Sequence, residues 1–145
     1  MSDLFLNQVF ITTWNALLIA HAIKFVYRTI TTENKSFLAF FESGGFPSAH
    51  TALVATLFFS LGFEEGWESN FTVIAGVLAV IVMYDALNVR YRAGEHAKVL
   101  NKLNSQMQEK LFKKPLKENL GHTYVEVAGG IILALIVSVI SYVVL

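Results

Sequence analysis

The sequence predicts an all-helical, polytopic membrane protein: a bundle of about four transmembrane helices with an amphipathic helix on the cytoplasmic side. Three observations carry this prediction. Hydrophobic residues make up 54% of a chain of 145 residues, more than the roughly 45–50% of a soluble domain. They are concentrated in four blocks, and a transmembrane helix needs about 20 mostly apolar residues. If the blocks cross the membrane in alternating directions, all 11 Lys and Arg residues fall on the same side of it. A chain of this length is expected to form a single domain, residues 1–145.

The four predicted spans differ in length and in the number of polar residues that interrupt them. The first runs from roughly Leu4 to Ile30 and is punctuated by polar residues, whereas the second, about Pro47 to Phe63, is short enough to start below the membrane surface. The third, roughly Phe71 to Val89, is interrupted near its end by two polar side chains. The fourth, about Leu120 to Leu145, is clearly apolar. Helices with one polar side suit a bundle that lines a hydrophilic cavity.

The connections between the spans differ in kind. Residues 31–46 form a polar and then aromatic loop that ends in a Gly-Gly break, and residues 64–70 form a short acidic turn. Residues 93–114 are charged, with apolar side chains at spacings of three and four: Ala93, Ala97, Leu100, Leu103, Met107 and Leu111. This spacing predicts an amphipathic helix that either lies on the membrane or packs on another element.

The basic residues predict the orientation of the bundle. If four spans alternate in direction, loops 31–46 and 90–117 share one side, and both termini share the other with residues 64–70. The first side holds Lys24, Arg28, Lys35, Arg90, Arg92, Lys98, Lys102, Lys110, Lys113, Lys114 and Lys117, and the second side carries acidic residues instead. Basic loops stay in the cytoplasm. We therefore expect a multi-pass protein of the cell (inner) membrane with both termini outside.

The side chains that could do chemistry fall at the cytoplasmic ends of all four predicted spans. They are Lys24 and Arg28, Ser48 and His50, Asp85 and Arg90, and His122 and Glu126. Four segments that bring reactive groups to one level predict a site there. Cysteine is absent, which excludes disulfides, zinc–thiolate sites and a cysteine nucleophile.

The stretch from Gly44 to His50 favours anion binding. Glycine lets the backbone approach a ligand, and Pro47 suits the first turn of a helix, whose free N–H groups attract anions. Ser48 would add a hydroxyl donor, and His50 an imidazole that gives or takes a proton near neutral pH. The alternative is an ordinary cap at the start of a helix.

His122 and Glu126 are four residues apart, so on a helix they share a face. A carboxylate bonded to one imidazole nitrogen fixes the tautomer and leaves the other nitrogen nucleophilic or basic. The alternatives are a structural histidine or a metal-binding pair. Asp85 lies in an apolar run, where a charge is usually functional or paired; Lys24, Arg90 and Arg92 are its candidate partners.

The combination of these motifs resembles a known superfamily. The sequence Pro47-Ser48-Ala49-His50 resembles the P-S-G-H motif of the type 2 phosphatidic acid phosphatase and vanadium haloperoxidase superfamily. His122 and Glu126 resemble its third motif, with Glu in place of Asp. The strings GGFPSAHTA, VMYDALNVRYRAGEHAKVLN and LKENLGHTYVEV are similar to a small divergent branch of bacterial and plant membrane proteins. The similarity extends from about residue 20 to residue 130.

The resemblance implies a metal-independent, cofactor-free phosphatase. His122 would attack phosphorus to form a phosphohistidine, Glu126 would orient His122, and His50 would protonate the departing alkoxide. The phosphate would be held by Lys24, Ser48, Arg90 and Lys117, with Asp85, Arg28 and Gly45 in support. The arginine that the superfamily has six residues before the histidine is replaced by Leu116, with Lys117 next to it.

The leading hypothesis is a phosphatase that acts on a phosphorylated lipid of the cytoplasmic leaflet. Phosphatidylglycerophosphate, phosphatidic acid and isoprenyl phosphates or diphosphates fit that location. One rival is a lipid-binding or transport protein with a degenerate site. Another is a transporter that uses His50, Asp85, His122 and Glu126 for a metal ion or proton, although the neighbouring cations would repel a metal. The expected partners are a phosphorylated lipid and the bilayer, not nucleic acid, and a homodimer is left open.

Overall fold

The computed structural model describes residues 7–31 and 45–144, and every regular element within them is helical. The predicted all-helical class is therefore confirmed. Residues 32–44 of the predicted loop and the first residues of the predicted first span lie outside the described part of the chain. The elements are α1 (Gln8–Thr31), α2 (Ala49–Glu65), α3 (Asn70–Tyr84), a π-helical turn (Asp85–Val89), α4 (Arg90–Gln106) and α5 (Tyr124–Val144).

Within residues 7–31 and 45–144, three helical stretches are long and apolar enough to cross a membrane: Gln8–Ile30, Asn70–Gln106 and Tyr124–Val144. The second predicted span is present as α2, which has 17 residues. At 1.5 Å per residue it is about 25 Å long, slightly less than the roughly 30 Å of a hydrocarbon core. It nevertheless lies at the centre of the bundle, because α1, α3 and α5 all pack against it.

The start of α2 differs from the prediction by two residues. The sequence predicts Pro47 in the first helical turn, but α2 begins at Ala49 and Ser48 is its N-cap. The Ser48 hydroxyl accepts a hydrogen bond from the backbone N–H of Thr51 at 3.4 Å. This bond pairs one of the N–H groups that a helix start leaves free. Pro47 therefore marks the boundary of the helix but lies outside it.

Small residues line the contact between α1, α2 and α5. Ala20, Ala49 and Ala52 are buried together there. Gly130 of α5 faces the start of α2, and a Cβ atom at this position would lie 2.7 Å from the carbonyl oxygen of Ser48. Close backbone approach at small residues is a common mode of helix packing in membranes. Here it holds the start of α2 against the start of α5.

Side-chain hydrogen bonds define the relative directions of these helices. Gln8 Nε2, at the start of α1, donates to the carbonyl oxygen of Ser141 near the end of α5 at 3.1 Å, so α1 and α5 are antiparallel. Ser60 Oγ, near the end of α2, donates to Ser138 Oγ at 3.3 Å, so α2 and α5 are parallel. The end of α1 and the starts of α2 and α5 therefore lie together. We call this the site end of the bundle.

The predicted amphipathic helix is α4, and it continues α3 through the π-helical turn. The combined helix Asn70–Gln106 has 37 residues and is about 55 Å long at 1.5 Å per residue. That length exceeds the roughly 30 Å hydrocarbon core, so part of α4 projects beyond it. Residues 107–123, which we call the return segment, run back along α4 to α5, and the Asn101 and Asn104 side chains hydrogen-bond to them. The predicted helix over residues 93–114 is longer than α4, which ends at Gln106. Of the predicted apolar face, Ala97 is buried, whereas Leu100, Leu103, Met107 and Leu111 are exposed, so the face of α4 that packs on another element is the one that carries Asn101 and Asn104.

Candidate active site

The site end is held together by two backbone hydrogen bonds between distant parts of the chain. The N–H of Ser48 donates to the carbonyl oxygen of Glu126 at 2.9 Å, which joins the start of α2 to the first turn of α5. The N–H of His122 donates to the carbonyl oxygen of Ala86 at 3.0 Å, which joins the return segment to the π-helical turn. The predicted candidate residues are therefore carried by elements that meet in the structure.

The Glu126 carboxylate organises the start of α5. Its Oε2 atom accepts hydrogen bonds from His122 Nδ1 at 3.1 Å and from the Thr123 backbone N–H at 2.8 Å. The hydroxyl of Thr123 in turn accepts from the Glu126 N–H at 3.3 Å, which completes a capping box. Because α5 begins at Tyr124, His122 lies before the helix rather than on the helical face that the sequence predicts.

This geometry assigns the tautomer of His122. An ionised carboxylate only accepts hydrogen bonds, so Nδ1 of the neutral ring carries the proton that points at Glu126. The other ring nitrogen, Nε2, then has a free lone pair. A histidine in this state can act as a nucleophile or as a base.

His122 is neutral at physiological pH because it is buried. Only 8% of the residue is exposed, and burial lowers the pKa of its imidazole below the ordinary 6.5, which the hydrogen bond and charge of Glu126 partly oppose. The positive charges of Lys24 and Arg90 lower the pKa further. The imidazole therefore stays available for attack at pH 7 without losing a proton first.

Gly45 brings the connection before α2 onto the same carboxylate. Its N–H donates to Glu126 Oε1 at 3.0 Å, and its φ of 91° lies in a region that side chains other than glycine rarely adopt. A Cβ atom here would lie 3.4 Å from Arg28 Nε and 3.8 Å from Lys24 Cγ. Glycine thus lets the backbone lie between the carboxylate and two cationic side chains.

Lys24 is the most buried cation of the site. Only 4% of the residue is exposed, and its charge interacts with those of Arg28 and Glu126. Within residues 7–31 and 45–144, no hydrogen bond or ion pair engages its ammonium group. A buried ammonium group without such a partner is costly, and an anionic ligand at the site would relieve that cost.

Arg90 is paired with Asp85 across the π-helical turn, through Arg90 Nε and Asp85 Oδ2. Among the three candidate partners of Asp85, regular α-helical spacing pointed to Arg92, which is seven residues on. The π-helical turn inserts an extra residue per turn and brings Arg90 into reach instead. Both side chains are partly exposed, so the remaining N–H groups of the guanidinium are free to meet a ligand.

His50 lies in the first turn of α2 and is exposed. Its ring interacts electrostatically with Arg90, His122 and Lys24, and also with His21 of α1. The sequence interpretation treated His21 as an ordinary polar-face residue. Three histidines and two of the predicted phosphate ligands are therefore close enough for His50 to be influenced by the other four groups.

Two other predicted phosphate ligands are not part of this group. Ser48 is fully buried as the cap of α2, where its hydroxyl also accepts a hydrogen bond from Thr51 Oγ1 at 2.9 Å. Lys117 is exposed on the return segment and does not line the cavity beside His122. The alternative interpretation of Ser48, an ordinary helix cap, thus describes what its side chain does here.

A cavity of about 240 Å³ opens beside His122 and Glu126. Its wall contains groups that the sequence did not single out, since α4 and the return segment meet only in the fold: Tyr91, Glu95, Lys98, Glu118 and Asn119. The same wall includes Arg28 and Gly45. One overlooked feature did have a sequence signal, because Thr123 and Glu126 have the spacing of a capping box.

Metal binding was one alternative for the His122 and Glu126 pair. Among the described residues, no three His, Asp or Glu side chains come together in a group that could hold a metal ion. The charged groups that act on His122 are instead Glu126 and the cations Lys24 and Arg90. Such an arrangement suits an anion.

The chain is similar to known membrane proteins along most of its length. A family model described as the divergent PAP2 family matches residues 5–137. The chain is 32% identical over 154 residues to the uncharacterized membrane protein YuiD of Bacillus subtilis (strain 168), with 97% of this chain and 98% of that protein covered. No solved structure matches the chain.

Proposed function

The chain belongs to the divergent PAP2 family, and from that premise we propose that it is a membrane lipid phosphatase that works through a phosphohistidine intermediate. One observation carries the proposal. A buried, neutral His122 is oriented by Glu126 and lies within electrostatic range of Lys24 and Arg90. This combination joins a nucleophile to two cations, Lys24 and Arg90, which we call the cradle because they would hold the phosphate that His122 attacks.

In the first step, Nε2 of His122 attacks the phosphorus atom of a lipid phosphate monoester. A nitrogen–phosphorus bond forms, and the bond between phosphorus and the lipid oxygen breaks. The imidazolium form of His50 gives its proton to the departing oxygen. Glu126 stabilises the positive charge that His122 acquires, as the carboxylate of a catalytic triad does. The products are a phosphohistidine and the lipid alcohol.

In the second step, water attacks the phosphorus atom of the phosphohistidine. His50, now neutral, takes a proton from that water, and the bond between nitrogen and phosphorus breaks. Inorganic phosphate leaves, and both histidines return to their starting states. Lys24 and Arg90 would stabilise the charge on the phosphoryl oxygens in both steps, while Asp85 holds Arg90 in place through their ion pair.

The substrate would be a phosphorylated lipid of the cytoplasmic leaflet. The basic residues of α4 and the return segment support this orientation, because Lys and Arg are retained on the cytoplasmic side. Phosphatidylglycerophosphate, phosphatidic acid and isoprenyl phosphates all present a terminal phosphate at that surface. A terminal phosphate needs no headgroup pocket beyond the cradle itself.

The decisive experiment measures phosphate release by purified protein in liposomes that contain one of these lipids, with EDTA present. Wild type is expected to release phosphate, and H122A and H50A to be nearly inactive. H96A is a matched control, because His96 is exposed on α4 and does not line the cavity beside His122. Equal release by wild type and H122A would rule out His122 as the nucleophile.

A non-catalytic lipid-binding protein is the second candidate. It is favoured by the positions of Ser48 and Lys117, since neither side chain reaches the group formed by His122, His50 and the two cations. This candidate predicts that wild-type protein retains phosphorylated lipids in a flotation assay and releases no phosphate from any of them.

A further inference from the structure

His122 is carried by the return segment, which is an extended connection rather than a helix. Residues 107–123 leave the end of α4, run back along it and reach the π-helical turn just before α5. A nucleophile must be held close to its productive position, since a displacement of about 1 Å can cost on the order of a hundredfold in rate. The contacts that hold this segment therefore bear on the chemistry of the proposed function.

Asn104 anchors the far part of the return segment. It is only 8% exposed, and its Oδ1 atom accepts hydrogen bonds from the N–H groups of Leu111 at 2.8 Å and Phe112 at 3.3 Å. Its Nδ2 atom donates to the carbonyl oxygen of Phe112 at 2.9 Å. A side-chain amide here pairs backbone groups that would otherwise need a neighbouring strand.

Asn101 repeats this arrangement one helical turn closer to the site. Its Oδ1 atom accepts from the N–H of Leu116 at 2.8 Å, and its Nδ2 atom donates to the Leu116 carbonyl at 2.9 Å. Nδ2 also donates to Glu118 Oε1 at 2.7 Å. The two asparagines are three residues apart, so they lie on one face of α4 and bind the segment at successive points.

Close backbone contacts continue the attachment up to His122. Gly94 lies so near the Glu118 carbonyl that a Cβ atom at Gly94 would collide with it. At the π-helical turn, the N–H of Arg90 donates to the carbonyl of Asp85 rather than to that of Ala86. The Ala86 carbonyl is thereby released, and it accepts the N–H of His122 at 3.0 Å.

We propose that Asn101 is a positioning residue for His122: its side-chain amide clamps the return segment onto α4 so that the His122 backbone meets the carbonyl released by the π-helical turn. The inference rests on the proposed function for its effect on turnover. Its structural part concerns only where the His122 ring is held, and that part can be measured without substrate.

The first test compares N101A with S105A. Ser105 is a matched control on the same helix, because its hydroxyl donates a hydrogen bond to the Lys102 carbonyl of α4 itself. In N101A, kcat should fall on the order of tenfold to a hundredfold. The KM should stay within about twofold, because Asn101 touches neither Lys24 nor Arg90 and the loss is confined to the transition state. S105A should match wild type in both.

The second readout is the titration of the His122 ring, followed by NMR in micelles with labelled histidine and assigned with H122A. Burial lowers the pKa of His122, the charges of Lys24 and Arg90 lower it further, and Glu126 opposes them. The ring of His50 also lies within electrostatic range of His122. A loosened return segment exposes the His122 ring, so its pKa should rise in N101A and stay unchanged in S105A. A wild-type titration together with wild-type kcat in N101A would overturn the proposal.

An exchange of the amide and the carboxylate between positions 101 and 118 provides a test by rescue. N101D keeps the acceptor for the Leu116 N–H but turns a carboxylate towards Glu118, so it should be more damaging than N101A. The double variant N101D/E118Q supplies a donor in place of Glu118 and should recover most of the lost kcat and the low pKa of His122. Non-additivity of this kind identifies a direct interaction; no recovery would contradict it. This pair also serves if N101A fails to fold.

The two proposals can fail separately. If wild type releases no phosphate from any lipid but N101A still shifts the His122 titration, the proposed function is wrong and the positioning role stands. If phosphate release depends on His122 while N101A changes neither kcat nor the titration, the function stands and the positioning role is wrong.

Discussion

Glu126 performs two tasks with one carboxylate. It caps α5 through the N–H of Thr123, and it orients the ring of His122, while its second oxygen binds the N–H of Gly45. A helix start and the geometry of the candidate nucleophile are therefore coupled. Substitution of the carboxylate would disturb both, whereas substitution of Thr123 would disturb only the cap.

We predict that E126Q lowers kcat by on the order of 10²- to 10⁴-fold, as loss of the orienting carboxylate does in catalytic triads. The amide nitrogen of Gln cannot accept a hydrogen bond, so at least one of the three donors loses its partner. T123A should cost only about 1 kcal/mol of stability through the lost cap and should keep most of the activity. Phosphate release and chemical denaturation distinguish the two effects, and equal losses of activity in both variants would contradict the orienting role.

The pH dependence of kcat/KM should report the protonation of the His122 ring. Protonated imidazole cannot attack phosphorus, so activity must fall as pH decreases through the pKa of His122. Burial holds that pKa below the ordinary 6.5. We therefore predict that full activity extends below pH 6.5 and that the acid limb lies lower still. An acid limb at or above pH 6.5 in wild type would contradict the assignment.

At the residue scale, sequence reasoning could find the side chains but not their hydrogen bonds. The spacing of His122 and Glu126 predicts that they meet, and they do so at 3.1 Å. The same spacing did not reveal that His122 precedes α5, because the helix start depends on the Thr123 cap. The sequence allowed two interpretations of Ser48, a helix cap and a phosphate ligand. Its full burial distinguishes the cap from an exposed phosphate ligand.

Among the elements, the π-helical turn (Asp85–Val89) is the least predictable from sequence and has the most consequences. Regular helical spacing along α3 and α4 would place Asp85 on the same face as Arg92. The extra residue of the π-helical turn brings Arg90 to Asp85 instead, and it leaves the Ala86 carbonyl available to the N–H of His122. The apolar blocks did predict α1, α2, α3 and α5, and the apolar periodicity predicted α4. It could not show that α3 and α4 are continuous, since that depends on the return segment packing against α4.

We predict that G121A uncouples the return segment from this turn. Gly121 has a φ of 76°, and a Cβ atom there would lie 2.7 Å from the Ala86 carbonyl oxygen. The substitution should cost roughly 1–3 kcal/mol of stability through backbone strain and crowding, and it should remove most of the activity. Thermal unfolding in detergent and phosphate release measure the two effects.

G66A is the matched control for this substitution. Gly66 has a φ of 92°, similar to that of Gly121, but a Cβ atom there meets no other atom within 4 Å. It lies in the turn between α2 and α3, at the end of the bundle opposite the site. G66A should therefore lose stability through backbone strain, as G121A does, but should keep its activity. If both variants kept full activity, contact between Gly121 and the π-helical turn would not matter for the site.

For the whole molecule, the division of polar groups between the two ends of the bundle follows from the sequence. Charged residues end α1 and begin α5 at the site end, and small residues such as Ala20, Ala52 and Gly130 fill the middle. At the opposite end, aromatic rings contact one another, as in the aromatic belts of membrane interfaces. The ring centroids of Phe63 and Tyr142, for example, are 5.3 Å apart. The orientation of this bundle in the membrane determines which leaflet supplies the substrate.

The absence of cysteine from the sequence makes that orientation directly measurable. We predict that a single cysteine at Lys102, exposed on α4, reacts with a membrane-impermeant maleimide only after intact cells are permeabilised. A single cysteine at Glu68, exposed in the turn between α2 and α3, should react from outside without permeabilisation. The cysteine-free parent controls for labelling of other proteins. The reverse pattern would place the site end outside and assign the substrate to the outer leaflet, while leaving the chemistry of His122 and Glu126 unaffected, because their geometry is the same in either orientation.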